Sequence, residues 1–108
     1  MRIEQVNSLL QTELANLIIR EVPTGNFLVT LTYVDTAANL ASSKIGVSVL
    51  PEKYTGTALK FLQSHSSLFA KYLLKKTRLR KIPHFLWTID ATEREASKIE
   101  EILNIIKE

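Results

Sequence analysis

The stretch LLKKTRLRKIP, residues 73–83, holds five of the chain's 14 basic residues, and Lys71 just upstream makes six within eleven positions. Lys71, Lys75, Lys76, Arg78, Arg80 and Lys81 have no carboxylate among them. Guanidinium groups grip phosphate oxygens through paired N–H donors, and lysine ammonium groups act as point charges that steer encounter. If a helix runs through Lys71, Lys75 and Arg78, their spacings of four and three put them on one stripe with Lys76 beside it. Like charges so arranged cost an isolated helix about 0.2–0.5 kcal/mol per pair. The helix macrodipole favours cations near a C-terminus by roughly 0.3–1 kcal/mol, which accounts for one or two of them as solvated charges. Six without an intervening acid point instead to a bound polyanion contacted along its phosphates.

The charge distribution along the chain agrees. Between Glu52 and Asp90 there is no acidic residue, so that interior carries +8, while the remainder carries −5. The formal net charge of +3 hides this segregation, which gives the surface a local positive field. Other chemistries find little footing. With no Cys there is no disulfide, thiolate nucleophile or Cys-based zinc site, and a reducing compartment fits. His65 and His84 have neither a His-x-x-x-His partner nor a carboxylate at ligand spacing, so no metal is expected. Ser66 and Ser67 adjoin His65, but neighbours on a helix are not a nucleophile and base within reach of each other. The pairs Glu93/Glu95 and Glu100/Glu101 read as solvated helix surface rather than acid/base dyads. None of the three glycines falls in a phosphate-cradling frame. The expectation is no enzyme and no cofactor. Phe69 and Trp87 fall at apolar stripe or strand positions and read as core, which leaves Tyr72 as the aromatic best placed for exposure.

The elements that would position this basic run follow from periodicity. At 108 residues and 45% apolar composition, one domain over residues 1–108 with one core is expected. Residues 2–21 place Ile3, Val6, Leu10, Leu14, Leu17 and Ile18 on one helical stripe. VPTGN breaks the helix, and FLVTLTYV then alternates as a strand with Phe27, Val29, Leu31 and Tyr33 on one face. KIGVSVL follows after a short polar link, so the two strands should pair antiparallel. From Pro51 the chain turns helical, with Leu59, Leu62, Phe69 and Leu73 on the apolar side; HSS at 65–67 interrupts the stripe and predicts two helices or one sharply kinked one. Pro83 forces an exit from helical geometry by about residue 82, and HFLWTID forms a third strand. Thr92 and Glu95 open a capping box for a closing helix bearing Ile99, Ile102, Leu103 and Ile106. The result is an α+β fold, a three-stranded sheet with helices on one face and the other face partly open.

These residues resemble a known family, bacterial ribosome-binding factor A. The opening R-x-x-x-V-N-x-L-L-Q-x-E-L-A-x-L-I-x-x-E is similar to that family's first helix, and VTLTYVDTAANLASSKIGVSVL to its two-strand hairpin. TRLRKIPHFLWTID is similar to the hallmark R-L-R-x-x-P-x-L-x-F-x-x-D ending, with Arg78, Leu79, Arg80, Pro83 and Asp90 in place. The resemblance covers nearly the whole chain. It implies a type II KH-like domain, α-β-β-α-α-β, in which an interhelical kink of Ala-x-Gly pattern replaces the usual GxxG loop. Here His65, Ser66 and Ser67 occupy the kink, and Ala37, Asn39 and Ser43 stand where the family usually has Ser, Asp and Ala. It also implies the role: a non-catalytic factor that binds the immature 30S subunit and its 16S rRNA, assists late maturation, and often matters in the cold.

Taken together with the resemblance, the residues leave three readings open. In the first, Lys71, Lys75, Lys76, Arg78, Arg80 and Lys81 clamp ribosomal RNA phosphates. The second is a generic KH-like binder of single-stranded nucleic acid. The third is a protein-binding adaptor that uses the open sheet face, with Leu28 and Val34 as anchors. No run of eighteen apolar residues could span a bilayer, and no leader pattern is present, so a cytoplasmic location is expected; a monomer is expected separately.

Overall fold

The computed structural model describes residues 2–23 and 25–90. They form α1 (Ile3–Glu21), β1 (Leu28–Thr36), β2 (Ser42–Leu50), a 3₁₀ turn (Glu52–Tyr54), α2 (Thr55–Lys76) and β3 (His84–Ile89). The closing helix expected within residues 91–108 lies outside the described residues.

Helix α1 buries Val6, Leu10, Leu14, Leu17 and Ile18, the expected stripe, while Ile3 at its start is only half-buried. The Gln5 side-chain oxygen accepts from the Arg2 backbone N–H at 3.1 Å, which satisfies one of the donors that a helix N-terminus leaves without an intrahelical partner. At the other end Val22 donates to Ile18 O, and Pro23 then stops the helix.

Strands β1 and β2 pair antiparallel from Leu28↔Leu50 to Thr36↔Ser43. Between Leu31↔Val47 and Tyr33↔Gly46 the register shifts, and Thr32 is the extra residue of a β-bulge. Because side chains alternate with period two, one inserted residue inverts which parity faces the core. Val29 is buried before the bulge, whereas Val34 and Thr36 are buried after it. This corrects the sequence reading in which Tyr33 shares a face with Val29 and Val34 is an exposed anchor. Val34 is 8% exposed and part of the core, and only Leu28, at 61%, keeps the exposure expected of the pair. Tyr33 swings to the opposite face and lies over Gly46, where an added Cβ would meet its ring. An aromatic ring over a cross-strand glycine covers backbone that would otherwise be bare, and it helps fix the register.

Beyond the bulge the hairpin is tied to α1. Thr36 Oγ1 and Ser43 Oγ share a buried hydrogen bond of 2.8 Å, and Asn7 Oδ1 accepts from the Thr36 N–H at 2.9 Å. Strand β3 joins β2 in parallel, giving the order β1-β2-β3. Parallel neighbours need a crossover, and α2 supplies it. Ile45, Val47 and Val49 on the central strand are fully buried, and they form one core cluster with the α1 stripe and with Ala58, Leu62, Phe69 and Leu73 of α2.

Of the two arrangements expected at residues 65–67, two helices or one sharply kinked helix, the division is not observed: α2 is a single helix from Thr55 to Lys76. The polar residues turn their side chains back onto their own helix. Ser66 Oγ donates to Leu62 O at 2.9 Å, Ser64 Oγ to Phe61 O at 2.8 Å, and His65 Nδ1 lies 2.9 Å from Phe61 O. Such back-bonding satisfies the hydroxyls without removing the backbone ladder. The α-α unit of the expected order is therefore a single helix.

Substituting Gly46→Ala is expected to cost about 1–3 kcal/mol in urea melts, because the new methyl overpacks against Tyr33. In a Tyr33→Ala background the same change should cost much less, and equal costs in both backgrounds would show that the ring is not the obstacle.

Candidate nucleic-acid interface

The basic run leaves α2 through a specific cap. Thr77 has extended backbone, and both its N–H and its hydroxyl donate to Leu73 O, at 2.9 and 2.7 Å. Its hydroxyl oxygen also accepts from the Leu79 N–H at 3.3 Å. One side chain thus ends the helix and bends the chain. In the segment that follows, exposure alternates with anchoring. Leu79 and Ile82 pack against the core and Pro83 is buried, while Arg78, Arg80 and Lys81 are exposed. The backbone continues into β3 through His84 N–H, which donates to Ala41 O at 3.0 Å and ties the segment to the β1–β2 turn.

The six basic residues therefore divide into three settings. Lys71 and Lys75 are exposed and four apart, which places them on the outward face of α2, opposite Leu62, Phe69 and Leu73. Arg78 does not extend that stripe, because the helix has ended two residues earlier; it groups with Arg80 and Lys81 instead. These three line a cleft of about 560 Å³ together with Asn39 and Leu40 of the β1–β2 turn. Lys81 also borders a groove of about 700 Å³ between α2 and β3, whose walls include Ser66 and Ser67. Lys81 thereby joins the basic segment to the middle of α2.

Lys76 has a different environment. Its ammonium lies 3.1 Å from Glu13 Oε2 of α1, and 5.4 Å from the centroid of the Tyr72 ring. Arg20, at the end of α1, approaches the same ring at 4.9 Å. Tyr72 thus sits between cations from two helices, a pairing favoured by the ring quadrupole. Interaction with Lys76, and next with Arg20, holds the Tyr72 phenol below its ordinary range. Reciprocally, Lys76 is held above its usual value by Tyr72 first and Glu13 second, and Arg20 by Tyr72 first and Glu21 second. Lys76 and Arg20 are exposed and Tyr72 is half-buried, so solvent screens these effects. The consequence for binding is that part of the Lys76 charge is already answered within the fold. Among the described residues, Lys71, Lys75, Arg78, Arg80 and Lys81 make no ion pair.

Of the other residues singled out from sequence, Phe69 is buried as expected, and Trp87 is half-buried with its indole N–H donating to Ser66 Oγ at 2.8 Å. Ser66 is therefore a tie between α2 and β3. The His65 ring stacks on Phe61 with centroids 3.9 Å apart, and His84 is exposed on β3. No group of three His, Cys, Asp or Glu among the described residues could hold a metal. Two contributors were not apparent from sequence: Arg20 beside Tyr72, which depends on how α1 meets α2, and the Asn39–Leu40 turn, which depends on the hairpin register.

A sheet of order β1-β2-β3 with α1 and α2 on one face, and a basic exit from the second helix, define an α+β protein of the KH-like class. The sequence model of ribosome-binding factor A matches residues 2–103. The chain belongs to the ribosome-binding factor A family. The ribosome-binding factor A of Chlorobaculum tepidum is 32% identical over 110 residues, covering 99% of this chain and 92% of its own length. That of Chlorobium limicola is 33% identical, with the same shares covered. Among solved structures, ribosome-binding factor A from Thermus thermophilus superposes with a TM-score of 0.72 at 20% identity, covering 82% of this chain and 94% of that one. A homology model of the Thermus thermophilus factor, fitted into a cryo-EM map of its complex with 30S, gives 0.68 at 19% identity, with 79% and 91% covered.

The cation pair around Tyr72 can be read spectroscopically. In an alkaline titration followed by tyrosinate absorbance, Lys76→Met should move the Tyr72 transition to higher pH, because the largest cause of its lowering is gone. A Tyr72→Phe control assigns the signal, and an unmoved transition would show that Lys76 does not act on the phenol.

Proposed function

We propose that this protein is a non-catalytic assembly factor of the small ribosomal subunit, acting as a monomer in the cytoplasm. In this reading it binds the immature 30S particle, contacts its 16S rRNA, and assists late maturation. The observation that carries it is the segment 78–83 in a chain of this family: Arg78, Arg80 and Lys81 are displayed outward on a backbone anchored by Leu79, Ile82 and Pro83. A Thermus thermophilus relative of the same fold has been fitted into a map of its complex with 30S, which supports the partner.

The chemistry required is charge neutralisation along a folded RNA. Arg78 and Arg80 supply bidentate phosphate donors, and Lys71, Lys75 and Lys81 add screened point charges. Lys76, already paired with Glu13, contributes less than its neighbours. No reacting group is needed: Ser64 Oγ lies 3.0 Å from His65 Nδ1, but both atoms also bond Phe61 O one turn earlier in α2, which occupies them within the helix. An adaptor using the sheet face loses half its proposed anchor, since Val34 is in the core.

With about four phosphates contacted, log affinity for small-subunit RNA should fall with log salt at a slope of roughly −3 to −4. Arg78→Ala with Arg80→Ala should flatten that slope by about 2 and weaken binding without changing the unfolding midpoint, whereas Lys76→Ala should change both slope and affinity less than either arginine. A salt-independent affinity would refute phosphate clamping.

Gradient sedimentation of a cell lysate tests the partner itself. The protein should travel with free small subunits and not with assembled ribosomes. Migration at the top of the gradient, or equal affinity for unstructured oligonucleotides and ribosomal RNA, would favour a generic single-strand binder.

A further inference from the structure

The cleft between the β1–β2 turn and the basic segment has a floor as well as a rim. Val6, 2% exposed, closes its base, and Leu40 and Leu79 add apolar surface. Arg78, Arg80 and Lys81 supply the charge around it. Its volume of about 560 Å³ lies within the roughly 300–1,000 Å³ typical of small-ligand sites. Phosphate clamping alone needs only an exposed cationic surface; it does not need an apolar recess beneath the cations.

The turn that forms one wall is held tightly and carries an unusual residue. Ala37 N–H donates to Ser42 O at 2.9 Å, Leu40 N–H to Ala37 O at 2.8 Å, and Ala41 N–H to Asn39 Oδ1 at 3.0 Å. Asn39 therefore spends its side-chain oxygen on the turn, and its amide NH₂ remains as a donor at the cleft. Leu40 has φ of 60°, the left-handed region that glycine or asparagine fills without strain, and its large apolar side chain is 39% exposed. A strained non-glycine residue held by its surroundings at a cleft is a pointer to function. Here an apolar blade stands beside three cations.

Resting on the RNA-binding reading above, we propose that this cleft receives a single unstacked nucleotide of the bound RNA, its base against Leu40, Leu79 and the arginine planes, its phosphate on Arg80 and Lys81. Unstacked bases in bulges and loops are what proteins can read in RNA, by stacking on guanidinium or apolar surfaces and by hydrogen bonds to base edges. The Asn39 amide is the donor available for such an edge. The site thus adds recognition of an extruded base to contact with the sugar–phosphate backbone.

The test compares an RNA hairpin bearing one unpaired adenosine in its stem with the same hairpin fully paired, by fluorescence anisotropy. The full-length protein should bind the bulged hairpin about ten-fold more tightly, the worth of one stacked base. Leu40→Gly suits the positive φ and keeps the turn, so it should abolish that preference and leave affinity for the paired hairpin within about two-fold. Adenosine monophosphate should shift the backbone amides of residues 39–41 and 78–81 in a ¹⁵N spectrum more than inorganic phosphate does. If Leu40 served only to cover Val6, Leu40→Gly would lower stability yet keep the preference, and the proposal would fall. Equal binding of the two hairpins by the wild type would also overturn it while leaving the assembly-factor reading intact. Failure to bind either hairpin at low salt would remove phosphate clamping together with this proposal.

Discussion

Apolar anchoring within the basic segment is the constraint on which the interface depends. Six cations close in sequence repel one another, and a segment of that kind left free in water would spread its charges over many conformations. Leu79, Ile82 and Pro83 prevent this by packing against the core between and beside the charged positions. Thr77 makes the arrangement possible, because its amide and hydroxyl both bond Leu73 O and so end α2 just before Arg78. Had the helix continued, Arg78 would have followed Lys75 around the cylinder and Leu79 would not have reached the core in the same way. The electrostatic surface is in this sense a product of hydrophobic packing.

Cations outside that segment are held by other means. Lys76 is drawn towards α1 by Glu13 and Tyr72, and Arg20 approaches the same ring from the end of α1. The Lys76 ammonium and the Arg20 guanidinium are exposed, so solvent screens these contacts on the cation side, although the Glu13 carboxylate is largely buried. Their effect is on direction: they turn one lysine of the run away from its neighbours and set an aromatic ring between two positive groups. Lys71 and Lys75, on the outward face of α2, have no such restraint among the described residues.

The sequence disclosed those parts of the fold that repeat at a helix or strand period over several residues. The α1 stripe from Val6 to Ile18 and the alternation of Ile45, Val47 and Val49 match the structure, whereas the helix exit assigned to Pro83 comes earlier, at the Thr77 cap after Lys76. What was not legible depends on a single residue or on contacts between distant segments. The bulge at Thr32 moved Val34 into the core; the only trace in sequence is that apolar positions change from odd to even across Leu31 and Val34. The polar run at 65–67 predicts a split or sharply kinked helix because short polar side chains compete for backbone groups, yet His65 and Ser66 bond carbonyls one turn earlier within a single α2. The hairpin register brings Asn39 and Leu40 beside residues 78–81, and no local pattern announces that.

Parallel pairing of β3 with β2 orders events during synthesis. The antiparallel hairpin closes over a short link and can form as soon as β2 has emerged, with α1 already available to cover it. Strand β3 has to wait for the whole of α2 to be made and laid back across the sheet, since a parallel neighbour cannot be reached by a tight turn. The basic segment lies immediately before β3, and the bond from His84 N–H to Ala41 O that ties it to the hairpin is made at the start of that strand. A ribosome making this chain therefore finishes the scaffold before the charged surface acquires its working geometry.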